Sequence, residues 1–177
     1  MKRDTKSIGH EIIHQILISE ICFDICKEIP IIPGRGSDFL PFYYNLIYTK
    51  GIIILHGLLL SNSPNELSLK NFLKQYAIDF PGIDILDFEK EITLISEEFR
   101  IVLPISLRNK VCAHIDQDFK HTDFTCAYII PDSVDKYLEI VKKLKNIFFE
   151  FFGHAKNDYP FHSILEQSKI IIDIIKK

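Results

Sequence analysis

The sequence lacks the features that mark several large classes of protein. Its 21 Lys and Arg residues are outnumbered by 24 Asp and Glu residues, and the net charge is −3. The chain therefore has no basic surplus with which to coat nucleic acid by bulk charge. A local phosphate site stays open, because a few cationic side chains in one place suffice. With 177 residues and no internal repeat, low-complexity tract or long linker, residues 1–177 are predicted to form a single domain.

Cysteine is scarce, and no two cysteines have the spacing of a redox or zinc pair. The chain has 4 cysteines, and no Cys-x-x-Cys occurs among them. The first residues contain no apolar stretch of the kind found in secretory signal peptides. We therefore expect reduced thiols in a cytoplasmic protein. Cys22 and Cys26 lie one helical turn apart and are expected to pack as small apolar side chains.

One long apolar run, residues 39–60, could be mistaken for a membrane-spanning helix. Lys50 and His56 interrupt it, and a lysine at the centre of a bilayer costs about 2.5–3.5 kcal/mol. The chain offers no second run of this kind, and no basic cluster flanks this one. The run is therefore predicted to be a buried helix of a bundle, and no membrane partner is expected.

Strand signals are scarce, whereas helix start and stop signals are plentiful. The only run that looks extended is Thr-Cys-Ala-Tyr-Ile-Ile at 125–130. The predicted fold class is all-α, a bundle of about six to seven helices. The apolar spacing and the helix breakers predict helices over about 8–29, 38–60, 64–77, 85–102, 104–115, 132–152 and 160–176. Pro104 either kinks the helix that precedes it or lies where a new helix starts, at Pro104 or Ser106.

Three capping patterns set the predicted helix starts. Ser63 is predicted to cap the third helix, with Glu66 completing a capping box. Asp84 is predicted to cap the fourth helix. Asp132 and Asp135 form a similar pair before the long apolar helix that ends near residue 152.

The stretch Leu-Arg-Asn-Lys-Val-Cys-Ala-His-Ile-Asp, residues 107–116, interrupts an otherwise apolar helix face. Leu103, Leu107 and Val111 have the spacing of one buried face, and His114 falls next on that face. His114 is therefore either a hydrogen-bonded histidine of the core or part of a functional site.

The residues around His114 suit metal-independent cleavage of RNA. A histidine titrates near neutral pH and can both take and give a proton. Arg108 is always charged and can hold a phosphate with a bidentate fork. Asn109 and Lys110 can orient the substrate or help to hold its phosphate. A base that activates the ribose hydroxyl and a guanidinium that stabilises the developing charge complete such a site.

The spacing of the two main residues indicates a site built from two chains. Arg108 and His114 would lie about 9 Å apart along a helix axis and about 120° apart around it. One copy therefore makes a loose site, whereas a two-fold axis could bring two His and two Arg into one cleft. The alternative is structural: Arg108 pairs with Glu97 or Glu98, and His114 forms a hydrogen bond inside the core.

A second candidate site is His-Glu-Ile-Ile-His, residues 10–14. His10 and His14 lie one helical turn apart and could both bind zinc, with Glu11 as general base. No third ligand stands at the spacing that follows this pattern in zinc proteases. We regard a zinc hydrolase as a distant alternative, and a solvated first turn of helix one as the simpler interpretation.

At 107–116 the sequence resembles the HEPN superfamily, and most closely its abortive-infection branch. The signature is an Arg followed by a polar residue, a few mostly apolar residues and then His, on a late helix of a small all-α domain. The resemblance implies a helical bundle that dimerises with its motif helices facing each other. It also implies a metal-independent endoribonuclease without cofactor, acting as a toxin or phage-defence effector.

On this resemblance Arg108 and His114 would be catalytic, and Asn109 would be the polar accessory residue. The implied partners are RNA, a second copy of the chain and a cognate antitoxin protein. Some members of the superfamily lack activity. A non-catalytic HEPN-like module that binds a nucleotide, RNA or a protein is therefore the main alternative.

Overall fold

The structure is a computed structural model that describes residues 4–28, 39–64, 66–103 and 131–152. Within those ranges the chain forms five helices and no strand, which confirms the all-α prediction for this part of the chain. The predicted helices over 104–115 and 160–176, and the extended run at 125–130, lie outside the described ranges. The five helices are α1 (Thr5–Glu28), α2 (Phe39–Leu60), α3 (Leu69–Asp79), α4 (Leu86–Val102) and α5 (Pro131–Phe152).

Helix α1 begins three residues before its predicted start. Asp4 caps it, since the Asp4 Oδ1 atom accepts a hydrogen bond of 2.7 Å from the Ser7 backbone N–H. The hydrogen bonds from Ser7 hold the pKa of Asp4 below its ordinary value. The prediction missed this cap because it placed the helix start at the first apolar residue, Ile8, and not at the polar residues before it.

The predicted cap of α3 is wrong by five residues. Ser68, not Ser63, caps the helix: its backbone is extended, and its Oγ accepts a hydrogen bond of 3.3 Å from the Asn71 N–H. The Glu66 carboxylate accepts from the Ser61 hydroxyl and so does not form the predicted capping box. Two serines that can cap compete for one helix, and the capping-box pattern favoured the earlier one.

The other predicted helix starts are close to those observed. Asp84 lies one residue before the cap position of α4, and its Oδ1 accepts a hydrogen bond of 2.9 Å from the Leu86 N–H. Helix α5 begins at Pro131, so Asp132 lies inside its first turn and not at the predicted cap position. Asp135, predicted to complete the capping box, pairs with Lys27 of α1, with 2.6 Å between the Lys27 Nζ and the Asp135 Oδ1.

Helix α1 lies between α2 and α5 and runs antiparallel to both. Towards α2, Cys26 contacts Tyr44 and Ser19 contacts Gly51. Towards α5, Lys27 pairs with Asp135, and the ring of His10 lies edge-on against Phe152. Helix α4 packs antiparallel to α5, while α3 and α4 both pack against α2. The core is one continuous apolar cluster to which all five helices contribute.

The long apolar run predicted to be a buried helix is α2. Tyr48, Ile52, Leu55 and Leu58 are buried in it, and Lys50 is exposed. Among the described residues, no helix has both the length and the apolar content that a bilayer crossing requires.

Candidate functional site

The sequence-predicted site residues Arg108, Asn109, Lys110 and His114 lie outside the described residues. The structure does describe the two helix ends to which their segment is joined, residue 103 after α4 and residue 131 at the start of α5. Because α4 and α5 are antiparallel, both ends lie at the same end of the bundle. We call the intervening residues, 104–130, the motif segment.

The start of the motif segment is fixed to the core. Leu103 is 3% exposed, and its backbone N–H closes the last turn of α4 by donating to the Phe99 carbonyl at 2.9 Å. The Tyr137 hydroxyl of α5 donates to the Val102 carbonyl at 3.3 Å. A buried side chain and a hydrogen bond across two helices therefore hold the point at which the motif segment begins.

Three buried tyrosines support this end of the bundle. We call Tyr44, Tyr48 and Tyr137 the tyrosine cluster. The rings of Tyr48 and Tyr137 meet edge to face at 5.9 Å between centroids, and Tyr137 stacks on Phe23 at 5.2 Å. The Tyr48 hydroxyl shares a hydrogen bond of 3.1 Å with the Ser133 hydroxyl in the first turn of α5. The cluster thus connects α1, α2 and α5 beside the helix end that leads to the motif segment.

The surroundings of the tyrosine cluster favour the neutral form of its hydroxyls. Burial raises the pKa of Tyr48 and of Tyr137 above the ordinary value of a phenol. Both hydroxyls therefore stay protonated at neutral pH, and that of Tyr137 donates its hydrogen bond to the Val102 carbonyl. Burial also raises the pKa of Cys22 to about 11, so that thiol is no nucleophile at neutral pH. This agrees with the prediction that Cys22 and Cys26 pack as small apolar side chains, since both are buried.

One acid offered as a structural partner for Arg108 already has a partner. Lys143 of α5 lies 3.0 Å from the Glu98 Oε2 atom and 3.1 Å from a carboxylate oxygen of Glu139. Glu97 is exposed and faces a groove between α3 and α4. If Arg108 has the structural role of pairing with an acid of α4, Glu97 is therefore the better candidate, because Glu98 already pairs with Lys143.

The second candidate site lies wholly within the described residues. His10 and Glu11 are half-buried on α1, and His14 is exposed. Glu11 also lines a pocket of about 550 Å3 beside the start of α3. Across all described residues, no group of three or more His, Cys, Asp or Glu side chains is placed to hold a metal ion. The zinc alternative therefore has no third ligand in this part of the chain.

A groove of about 430 Å3 between α3 and α4 was not predicted from the sequence. The C-terminal end of α2 forms its floor with Leu59 and Leu60, and Ser96 of α4 donates a hydrogen bond of 3.3 Å to the Leu59 carbonyl. Lys70 and Lys74 line its α3 side. We call this the α3–α4 groove. The spacing of apolar residues finds helix faces, but it does not show which faces leave a gap between them.

A charged pair buried between α1 and α5 was also missed. Lys145 Nζ lies 2.7 Å from the Glu20 Oε2 atom, and Glu20 is 8% exposed. Glu20 falls on the inner face of α1 between Ile16 and Phe23, and Lys145 comes one residue after the buried Leu144. The signal in the sequence was a glutamate on an apolar face, because a buried carboxylate needs a cation or hydrogen-bond donors as partners.

No protein-family model, curated protein or solved structure matches this chain.

Proposed function

We propose that the protein is a HEPN-type, metal-independent endoribonuclease that acts as a toxin or phage-defence effector. The observation that carries the proposal is the motif at 108–114, in which Arg108 and Asn109 precede His114 at the HEPN spacing. The helical bundle of the described residues is compatible with this proposal.

The proposed chemistry uses two histidines. One His114 imidazole takes the proton of a ribose 2′-hydroxyl, whose oxygen attacks the adjacent phosphorus. The bond from phosphorus to the 5′-oxygen breaks, and the imidazolium of a second His114 gives its proton to that leaving oxygen. Arg108 stabilises the charge that builds on the phosphate oxygens. The products are a 2′,3′-cyclic phosphate and a 5′-hydroxyl.

Two copies of the chain supply the two histidines in this proposal. An exposed apolar pair on α4 supports an interface close to the motif segment. Leu94 is 60% exposed and Ile101 is 85% exposed. These residues are seven positions apart and so lie about 10 Å apart on nearly the same side of the helix. A second copy that covered this pair would bring two motif segments together, because each α4 leads directly into one.

In this proposal, RNA is bound by a small group of cationic side chains and not by the surface as a whole. With a net charge of −3, the chain can bind RNA only where its cations are concentrated. Arg108 and Lys110 provide such a concentration in each copy. The proposed site takes unpaired or looped RNA, because the 2′-hydroxyl must swing into line with the leaving oxygen. A cognate antitoxin protein would then act by covering this site.

A cleavage assay tests the proposal. The purified protein is incubated with RNA, with and without excess EDTA, beside the His114→Ala and His10→Ala variants. We expect cleavage that resists EDTA, is unchanged in His10→Ala, and falls about 10²- to 10⁴-fold in His114→Ala, the usual effect of losing a general acid–base.

Two other results would overturn the proposal. Cleavage that requires a metal and is lost in His10→Ala would favour the zinc hydrolase built on His10, Glu11 and His14. Tight binding of RNA without any cleavage, by a chain that still dimerises, would favour the non-catalytic binding module.

A further inference from the structure

Half of the exposed large apolar residues that the structure describes lie where α3 leads into α4. The described ranges contain eight such residues, and four of them fall within nine positions of the chain: Ile78, Phe80, Ile83 and Leu86. Ile78 is 67% exposed and Leu86 is 59% exposed. Single exposed apolar side chains are normal on any protein, whereas several in one place mark a surface that binds a partner.

Hydrogen bonds hold the connection that carries these side chains. The Ile83 N–H donates to the Phe80 carbonyl at 3.1 Å and closes a turn between the two helices. Asp79 accepts a hydrogen bond from the Thr5 hydroxyl of α1 and another, of 2.7 Å, from the Gln75 side chain. A partner would therefore meet a backbone that is already ordered, which lowers the entropy cost of binding.

Acidic side chains are interleaved with the exposed apolar ones. Residues 78–91 contain five acids and one lysine: Asp79, Asp84, Asp87, Glu89, Glu91 and Lys90. Lys90 pairs with Asp87 at 3.0 Å, whereas Glu89 and Glu91 form no ion pair with a described residue. We call residues 78–91 the acidic tip.

Two other helix ends lie beside the acidic tip and do not neutralise it. The Thr5 hydroxyl of α1 bonds to Asp79, and the Phe151 ring of α5 stacks on Phe88 at 4.0 Å between centroids. The last turns of α3 and α5 hold no basic residue. These ends and the preceding turn of α3 add two acids and two lysines: Asp4, Glu150, Lys6 and Lys74. Acids then outnumber lysines by seven to three among these described residues, so the surface is negative as a whole.

An apolar patch in a negative surround fits a positively charged partner that has apolar side chains of its own. Such an interface buries the apolar residues at its centre and pairs opposite charges around them. RNA and anionic membranes do not fit, because their phosphates would meet carboxylates. A symmetric dimer through this surface would set two acidic tips against each other.

We propose that the acidic tip is a docking surface for another protein, which presents a segment of Lys and Arg interleaved with large apolar residues. Ile78 and Leu86 contribute to the apolar contact. Glu89 and Glu91 attract the cations. Because α4 is about 25 Å long, the partner binds at the end of the bundle opposite to residue 103, where the motif segment begins. This proposal is independent of the proposed nuclease activity.

Binding of a synthetic peptide to the full chain tests the proposal. The probe is a fluorescent peptide of Leu and Lys that forms an amphipathic helix. One comparison peptide has Glu in place of every Lys, and the other has Ser in place of every Leu. Fluorescence anisotropy should show that the Leu–Lys peptide binds at least about tenfold more tightly than either, and more weakly as salt is added.

A pair of double variants locates the binding surface. Ile78→Ser with Leu86→Ser should weaken binding of the Leu–Lys peptide at least about tenfold, because the apolar contact is lost. The matched control is Leu46→Ser with Ile53→Ser, at exposed apolar residues of α2, and it should bind as the wild type does. Circular dichroism checks that both variants keep their helices.

Carbodiimide cross-linking, which joins a peptide lysine to a protein carboxylate, maps the contact. We expect links at Glu89 or Glu91 and none at Asp135, an exposed acid at the opposite end of the bundle.

Four results would overturn the proposal. The Leu–Lys peptide could fail to bind, or the Leu–Glu peptide could bind as tightly. The two double variants could lose affinity equally. A wild-type dimer that dissociates only in the Ile78→Ser, Leu86→Ser variant would mean that a second copy covers the acidic tip.

Discussion

The carboxylate of Glu20 lies between α1 and α5, and Lys145 neutralises it. The Glu20 side chain is 10% exposed and that of Lys145 is 28% exposed. A pair this far from water costs desolvation to form, so it adds little net stability, but removing one partner leaves a charge buried alone. At the scale of single residues, this pair is more sensitive to substitution than the exposed ion pairs.

We expect Lys145→Met to lower the free energy of unfolding by about 3 kcal/mol, the low end for breaking a buried pair because Lys145 keeps some contact with water. Lys143→Met is the matched control, since Lys143 and its partner Glu98 are both more than two-fifths exposed. The control should lose no more than about 1 kcal/mol. Urea unfolding measures both values, and equal losses would contradict the account of Glu20.

Two glycines of α2 should respond in opposite ways to alanine. A Cβ atom on Gly51 would lie 2.8 Å from the Phe23 ring, whereas a Cβ on Gly57 would meet nothing within 4 Å. Phe23 is fully buried and stacked on Tyr137, so its ring cannot move aside freely.

We therefore expect Gly51→Ala to destabilise the protein, since overpacking costs about 1–3 kcal/mol and outweighs the gain in helix propensity. Gly57→Ala should stabilise it by up to about 1 kcal/mol, because there the propensity gain acts alone. Thermal unfolding followed by circular dichroism gives the sign of each change. A rise in melting temperature for Gly51→Ala would show that α1 and α2 are not as close as described.

Helix α4 has an inner face that packs in the core and an outer face that is exposed. Its inner face packs Phe88, Ile92, Ile95 and Phe99 into the core. Its outer face carries Leu94 and Ile101, which solvent would not favour on a helix that stands alone. The helix also leads directly into the motif segment, so a contact made by its outer face would control how two motif segments meet.

We expect Ile101→Glu to raise the dissociation constant of the proposed dimer at least about 100-fold, because each of two symmetric copies loses about 1.5–3 kcal/mol of apolar burial. RNA cleavage should fall with it. Leu86→Glu is the control, since Leu86 is 59% exposed at the other end of α4. Sedimentation velocity measures the dissociation, and a dimer that survives Ile101→Glu would remove α4 from the proposed interface.

Helix type could be predicted from the sequence, whereas helix starts could be predicted only in part. The apolar spacing of α5 is strong, and Val134, Tyr137, Val141 and Leu144, which have that spacing, are all buried. The start of α3 could not be chosen, because Ser63 and Ser68 both have side chains that can cap. Only the extended backbone at Ser68 and the position of the Asn71 N–H decide between them.

In the whole molecule, contacts between helices that are distant in the chain could not be predicted from the sequence. The pairing of Glu20 with Lys145 and the gap between α3 and α4 depend on how helices distant in the chain are arranged. Local patterns carry no such information. The predicted catalytic residues Arg108 and His114 stay predictions, because they depend on a short motif in residues outside the described ranges.

The bundle has a fixed end from which the motif segment begins, and in the proposed dimer two such ends meet. Tyr137 and Leu103 hold the point where that segment begins. Because the proposed reaction starts from a ribose hydroxyl, the chemical form of the cleaved RNA end reports the mechanism directly.

The most direct measurement is the mass of the RNA fragments produced by the purified protein in excess EDTA, beside those produced by His114→Ala. We expect fragments ending in a 2′,3′-cyclic phosphate from the wild type, and about 10²- to 10⁴-fold less of them from the variant. An RNA with a 2′-deoxyribose at the cleaved position should stay intact. Fragments with linear phosphates that need a metal, or cyclic ends formed equally well by His114→Ala, would contradict the proposed mechanism.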